Sequence, residues 1–270
     1  MAKKRKLDPA RTRPLTLEFL RDLGELKEFA PPAGDFDPLG AWTHTYRLWL
    51  VQRRLGGGVL VLRREPAKGG VRLTADLAVA EHTGYIRKAK AVVECAADAL
   101  CTPRAWTLES QGLDADDKPI RGTKVTERGT IANGVLDIRF GDRSRKQKVP
   151  LPVTCEWSLL DAVQRLPGPK TKPMAFALLE ELDLLKPEQR LEFRETKGFT
   201  LSERTLPLTG YQQVGRGVLP WQYWVDAQHR LLFAFGGLRA YIYDPTAAEW
   251  MQQKLDRARA RTRRLKGAKK

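Results

Sequence analysis

The sequence predicts an all-β, mainly antiparallel fold: a curved, half-barrel-like meander with one short helix against it and basic helical or disordered tails. Three observations carry that reading. The first is the stretch GVLPWQYWVDAQHRLLFAFGGLRAYIYD, Gly217 to Asp244. Leu219, Trp221, Tyr223 and Val225 alternate there with Pro220, Gln222, Trp224 and Asp226. Leu231, Phe233 and Phe235 take one face of the next run, and Leu238, Ala240 and Ile242 alternate with Arg239, Tyr241 and Tyr243. Period-two patterning in aromatic and β-branched residues, broken by Asp- and Gly-bearing turns, marks consecutive antiparallel strands. The second observation is that similar runs fill most of the chain upstream. The third is that no long helix separates them, which excludes parallel βαβ units. A single sheet of about ten or more strands must curl or close.

The elements follow in order. Residues 1–14 read as a basic disordered arm. Residues 15–40 form a short helix and a Pro/Gly loop, with Leu17, Leu20, Leu23 and Leu26 at intervals of three and a stop before Pro31. Residues 41–245 form a single antiparallel β domain. Its first strand places Trp42, His44, Tyr46, Leu48 and Leu50 on one side, and Gly56-Gly57-Gly58 turns it. Lys68-Gly69-Gly70 makes the next turn, and Val71, Leu73, Ala75, Leu77 and Val79 then alternate with Arg72, Thr74, Asp76 and Ala78. His82-Thr83-Gly84 leads into YIRKAKAVVEC. Asn133-Gly134 between two alternating runs is a hairpin signal. Ser158-Leu159-Leu160-Asp161 resembles a capping box and starts a short helix that closes at Pro167. FALLEELDLL fits either a helix or a strand, with strand preferred and a turn placed at Lys186-Pro187-Glu188. Residues 246–270 read as a basic C-terminal helix or tail, free of Gly and Pro until Gly267.

Composition limits the function. About two-fifths of the 270 residues are hydrophobic (42%), enough for a real core. The formal net charge is +16, but residues 1–14 hold +5 and residues 254–270 hold +8, leaving +3 for everything between. The basic character belongs to the tails. Cys95, Cys101 and Cys155 make neither a disulfide framework nor a zinc spacing and read as small buried hydrophobes. The N-terminal stretch lacks the apolar region of a secretory signal, which favours a cytoplasmic location, and no run of eighteen apolar residues spans a membrane.

Few residues suggest chemistry. His44, His82 and His229 share no metal-ligand spacing, and Asp114, Asp116 and Asp117 lack the Gly and terminal Glu of a calcium loop. No catalytic residue, metal site or cofactor is expected. Asp226 should accept backbone hydrogen bonds in its turn. Trp221, Tyr223, Phe233 and Phe235 are the candidate lining of an apolar cavity, weighed against ordinary core packing, with Arg239 expected to point outward. Arg257, Arg259, Arg261, Arg263 and Arg264 are the candidates for a polyanion contact, because alternating arginines on a helix spread charge around it without making a reading stripe.

The segments VPLPVTCEWSLLDAVQRLP, FALLEELDLLKPEQRLEF and YWVDAQHRLLFAFGGLRAYI, in that order, resemble an uncharacterised bacterial family with a LolA-like half-barrel. The likeness covers roughly residues 41–245. It implies a meander, a short helix after a proline-bearing strand and a final Trp-x-Asp hairpin, in a protein of the cell envelope whose concave face holds lipid or acyl chains. The expected function is therefore a noncatalytic binding or scaffold protein holding a hydrophobic, lipid-like ligand or a partner segment. The alternative is a nucleic-acid or anionic-surface binder acting through its basic tails. Oligomeric state stays open.

Overall fold

A computed structural model describes residues 15–50, 57–80, 85–114, 116–201 and 203–267. The expected arm 1–14 and the turn at His82–Gly84 lie outside them. Fifteen strands form one sheet. The first eight are β1 (Trp42–Leu50), β2 (Gly57–Ala67), β3 (Gly70–Ala80), β4 (Ile86–Ala96), β5 (Pro103–Leu113), β6 (Val125–Ala132), β7 (Val135–Phe140) and β8 (Arg143–Lys148). They follow one another as antiparallel neighbours. A short β9 (Val153–Cys155) leads into helix α2 (Glu156–Ala162), preceded in the chain by α1 (Leu17–Asp22). The second meander is β10 (Met174–Glu180), β11 (Leu184–Leu201), β12 (Arg204–Gly215), β13 (Trp221–Val225), β14 (Leu231–Gly236) and β15 (Arg239–Tyr243), followed by α3 (Ala247–Gly267).

Two pairings complete the topology. β9 lies parallel to β10, with α2 as the crossover, so one βαβ unit is present, against the expectation that the absence of long helices excludes any; a helix of seven residues suffices because β9 is only three residues long. β15 pairs antiparallel with β1, Tyr46 opposite Tyr243, and so joins the two meanders into one sheet. The edges β8 and β9 do not pair, so the sheet is not closed into a barrel. An ion pair from Arg145 on β8 to Asp183 in the β10–β11 turn, at 2.6 Å, reaches across the gap.

The main core lies on the inner face, where Trp157, Leu159 and Leu160 of α2 and Val163 just after it plug the sheet against Tyr46, Leu60, Leu73, Val93, Trp106 and Tyr211. Helix α2 begins at Glu156, two residues before the expected start. Its cap is Cys155, whose Sγ accepts from the Ser158 N–H at 3.4 Å, while the Ser158 hydroxyl is buried between Cys95 and Cys155. Asp161, read in the sequence as part of a cap, is instead fully buried and ion-paired to Arg64 at 2.8 Å and Arg165 at 3.0 Å. Removing one partner of such a buried group would leave an uncompensated charge.

Two smaller cores cover parts of the outer face. α1 caps one with Leu17 and Leu20 against Phe199, Trp224, Phe233 and Phe235. α3 caps the other with Met251 and Leu255 near Val59, Ile86 and Leu113. α1 is shorter than the leucine spacing suggested, because Gly24 takes a positive φ and ends it, although Leu26 still reaches the same core.

The ambiguous FALLEELDLL is strand, as preferred, but its turn lies at Glu181 and Leu182, both at positive φ. Lys186-Pro187-Glu188 sits inside β11, where Glu188 takes φ 58. A recurring device stiffens the sheet: Trp106 lies opposite Gly129, Trp224 opposite Gly210 and Trp221 opposite Gly236. Each indole covers its glycine so closely that a Cβ there would stand within 3 Å of the ring. The ring supplies the contact that the missing side chain does not.

Candidate functional site

The second meander carries an aromatic cleft on its inner face, and strand register explains it. Tyr223, Ala234 and Tyr241 form one cross-strand row; Trp221, Gly236 and Arg239 form the next. Because β14 offers only Ala234 and Gly236 to these two rows, the large side chains of β13 and β15 close over them. Trp221 stacks on Tyr223 at 6.3 Å and on Tyr241 at 6.1 Å, and the Arg239 guanidinium lies 5.4 Å from the Trp221 ring centre. Leu160 and Trp157 of α2, Leu178 of β10 and Val218 complete the apolar wall. The free volume is about 20 Å³, room for about one water. The cleft is therefore formed but nearly shut.

Its polar groups are held in place. The Tyr223 hydroxyl donates to Gln213 Oε1 at 2.8 Å, Gln213 donates to Gln189 at 3.2 Å, and Gln189 donates to the carbonyls of Pro187 and Arg216. Glu156, at the start of α2, accepts from the Glu181 N–H at 3.3 Å and stands 4.0 Å from Arg239. Burial pushes the Glu156 carboxyl up to about 7, and the neighbouring Glu180 and Glu181 charges add to this against the pull of Arg239. Burial likewise pushes Tyr241 up to about 12. Leu219, just before β13, and Leu238, just before β15, are 62% and 57% exposed, and Leu219 approaches Gly237.

The four residues expected to line one cavity divide between the two faces. Trp221 and Tyr223 line the cleft. Phe233 and Phe235 lie on the opposite face, packed under α1 with Trp224. A bulge causes the split: Val225 pairs with Leu231 but Trp224 pairs with Phe233, so Leu232 is an extra residue and alternation reverses after it. The same reversal corrects Arg239, which faces the cleft, while Ala240 and Ile242 face outward into the α1 core. Tyr241 and Glu156 escaped the sequence reading. Tyr241 lay on the face then taken as outer, and Glu156 lay just before the expected start of its helix.

The other expectations fall into place separately. Asp226 Oδ1 accepts from the Gln228 and Arg230 N–H groups at 2.9 and 2.8 Å. His44 is buried, stacked on Trp42 and within 3.2 Å of the Tyr46 hydroxyl; burial first, and the Arg230 charge second, push its pKa down to about 3. All three cysteines are free and buried. Among the described residues no group of His, Cys, Asp or Glu could hold a metal, and no helix is long and apolar enough to cross a membrane. Arg257 is exposed on α3; the side chains of Arg259, Arg261, Arg263 and Arg264 lie outside the described ones.

A larger depression of about 360 Å³ lies on the outer face beside α3, over Val59, Val61 and Ala78. Lys88, Lys90, Glu109, Gln111 and Lys124 surround it, and Asp76 on its wall already pairs with Arg63. It lacks the aromatic wall and the positioned polar chain of the inner cleft.

Comparison with known sequence families and with curated proteins finds no match. Among solved structures, the chain is similar to a β-barrel-like protein of domain of unknown function DUF1849 from Brucella abortus. The identity is 9%, the alignment covers 76% of this chain and 96% of that one, and the TM-score is 0.52. That likeness shows a shared fold.

Proposed function

We propose that the protein is a noncatalytic binder that holds a hydrophobic, lipid-like molecule or an apolar partner segment in the Trp221–Tyr223–Tyr241 cleft. The observation that carries this reading is the pairing of large aromatic side chains on β13 and β15 across the small residues of β14. That arrangement makes a trough whose depth is set by side chains able to rotate away, instead of by the backbone. Leu219 and Leu238, exposed just before β13 and β15, would give an apolar entry. The Gln213–Gln189 chain holds the Tyr223 ring in place.

The reading is tested by native mass spectrometry of the full chain with organic extraction, alongside titration with a fluorescent alkyl probe. A discrete bound mass or saturable uptake is expected, lost in Trp221→Glu while circular dichroism stays unchanged. A clean mass together with no uptake would reject it.

A second reading rests on α3. Its described apolar contacts end at Leu255, while Arg257 is exposed and the basic run follows. This suits a salt-sensitive contact with a polyanion. Binding to heparin that survives removal of residues 256–270 would exclude α3 as the contact.

A further inference from the structure

We propose that Arg239 receives an acidic head group at the mouth of the cleft, so that the molecule held there is an anionic amphiphile. This rests on the binding reading above and adds the chemistry of the ligand.

The argument begins with how this chain treats its arginines. Six are buried or half-buried among the described residues: Arg47, Arg63, Arg64, Arg165, Arg230 and Arg239. Arg47 donates to the Glu25 carbonyl, Arg63 to Asp76, and Arg64 to the carbonyls of Leu39 and Gly40. Arg165 donates to Asp161 and to the Asp98 carbonyl, and Arg230 to the Gly34 carbonyl. Arg239 alone of the six has no hydrogen bond from its guanidinium to a described residue. Its one ion-pair partner, Glu156, stands at 4.0 Å, the outer limit of such a contact.

A guanidinium carries five N–H donors in a rigid plane. Here one face is taken by Trp221, which leaves the edge free, and the side chain is 30% exposed. Among the described residues no Arg239 nitrogen is both buried and unpartnered, so this free edge is open to solvent. A carboxylate, sulfonate or phosphate arriving at that edge would take the place of water with a bidentate pair. The apolar surfaces that line the cleft with it, Trp221, Val218 and Leu178, suit the alkyl part of the same molecule.

Glu156 sets the competition. It faces Arg239 and Tyr241 of β15, Tyr223 of β13, Glu180 at the end of β10 and Glu181 in the turn after it; Glu180 is itself paired with Lys186 at 3.7 Å. Above about pH 7 Glu156 is ionised and competes for Arg239; below it Glu156 is neutral and Arg239 is available. Affinity for an anion of fixed charge should therefore fall as pH rises from about 6 to about 8.

The experiment titrates 1-decanesulfonate, 1-decanol, decyltrimethylammonium and inorganic phosphate, each below its aggregation limit, into the full chain by calorimetry. Decanesulfonate should bind about tenfold more tightly than decanol, as expected for one desolvated charge contact. Arg239→Gln should abolish that preference. Glu156→Gln should raise sulfonate affinity and flatten its pH dependence. Equal affinity for sulfonate and decanol, or a preference that persists in Arg239→Gln, would overturn the head-group proposal and leave the apolar cleft standing. Phosphate binding as tightly as sulfonate would assign Arg239 to a small anion and overturn the amphiphile. If none of the three alkyl probes binds, the cleft reading itself falls.

Discussion

Strands β2–β4 and β13–β15 are both three-stranded antiparallel ladders, and they bury their side chains differently. In β3 and β4, inward Val71, Leu73, Ala75, Ala91 and Val93 are buried while outward Arg72 and Lys90 meet solvent. In β14 all six residues are buried, because α1 covers the outer face and the aromatic cleft covers the inner one. Alternation reports orientation only where one face is wet. Where both are dry, apolar residues are admitted on either side, and one inserted residue reverses the faces with no change in composition.

The contrast can be broken by experiment. Phe233→Ala should cost about 3–5 kcal/mol in denaturant unfolding and free α1 for proteolysis, whereas Leu77→Ala on the half-covered ladder should cost about 1 kcal/mol. Equal losses would mean that two-sided burial adds nothing.

Beyond that ladder, on β6, Glu127 is 2% exposed and accepts from Trp106 Nε1 of β5 at 2.8 Å. Burial pushes it up to about 7. Its folded pKa exceeds the unfolded value, so the folded state binds the extra proton, and stability should fall as pH rises from about 4.5 to about 7, by about 2–3 kcal/mol. Thermal melts across that range should show the decline, and Glu127→Gln should remove most of it.

Gly210→Ala would place a Cβ 2.7 Å from the Trp224 ring and should cost about 1–3 kcal/mol through overpacking. A neutral result would show that the indole moves freely and does not stiffen the sheet. The smallest effect belongs to Leu219→Ser. At that exposed position it should change stability by less than about 0.5 kcal/mol yet weaken uptake of an alkyl probe. Unchanged uptake would remove Leu219 from the binding surface.

Much of the architecture was legible from local chemistry. The Asn133-Gly134 and Asp226 turns and the alternating ladder from Val71 to Cys95 follow from turn residues and period-two patterning. The missed features depend on partners distant in sequence or on backbone irregularity. Glu181 and Leu182 form a turn with no Gly to announce it. Asp161 finds Arg64, about 100 residues away, through the folded core. Arg239 looked like a solvent-facing charge because the bulge at Leu232 leaves no mark in the sequence. Half of the candidate lining, Trp221 and Tyr223, was thus readable, and the charged pair beside it was not.

The seam between β1 and β15 has a consequence for how the molecule is made. Tyr46 pairs with Tyr243 about 200 residues later, so on the ribosome the first meander is synthesised long before its neighbour exists. Until β15 is made, β1 keeps the backbone donors and acceptors of that edge unanswered. A nascent chain in that condition is exposed to pairing with its own copies. Any delay in translating β13–β15 prolongs the exposure.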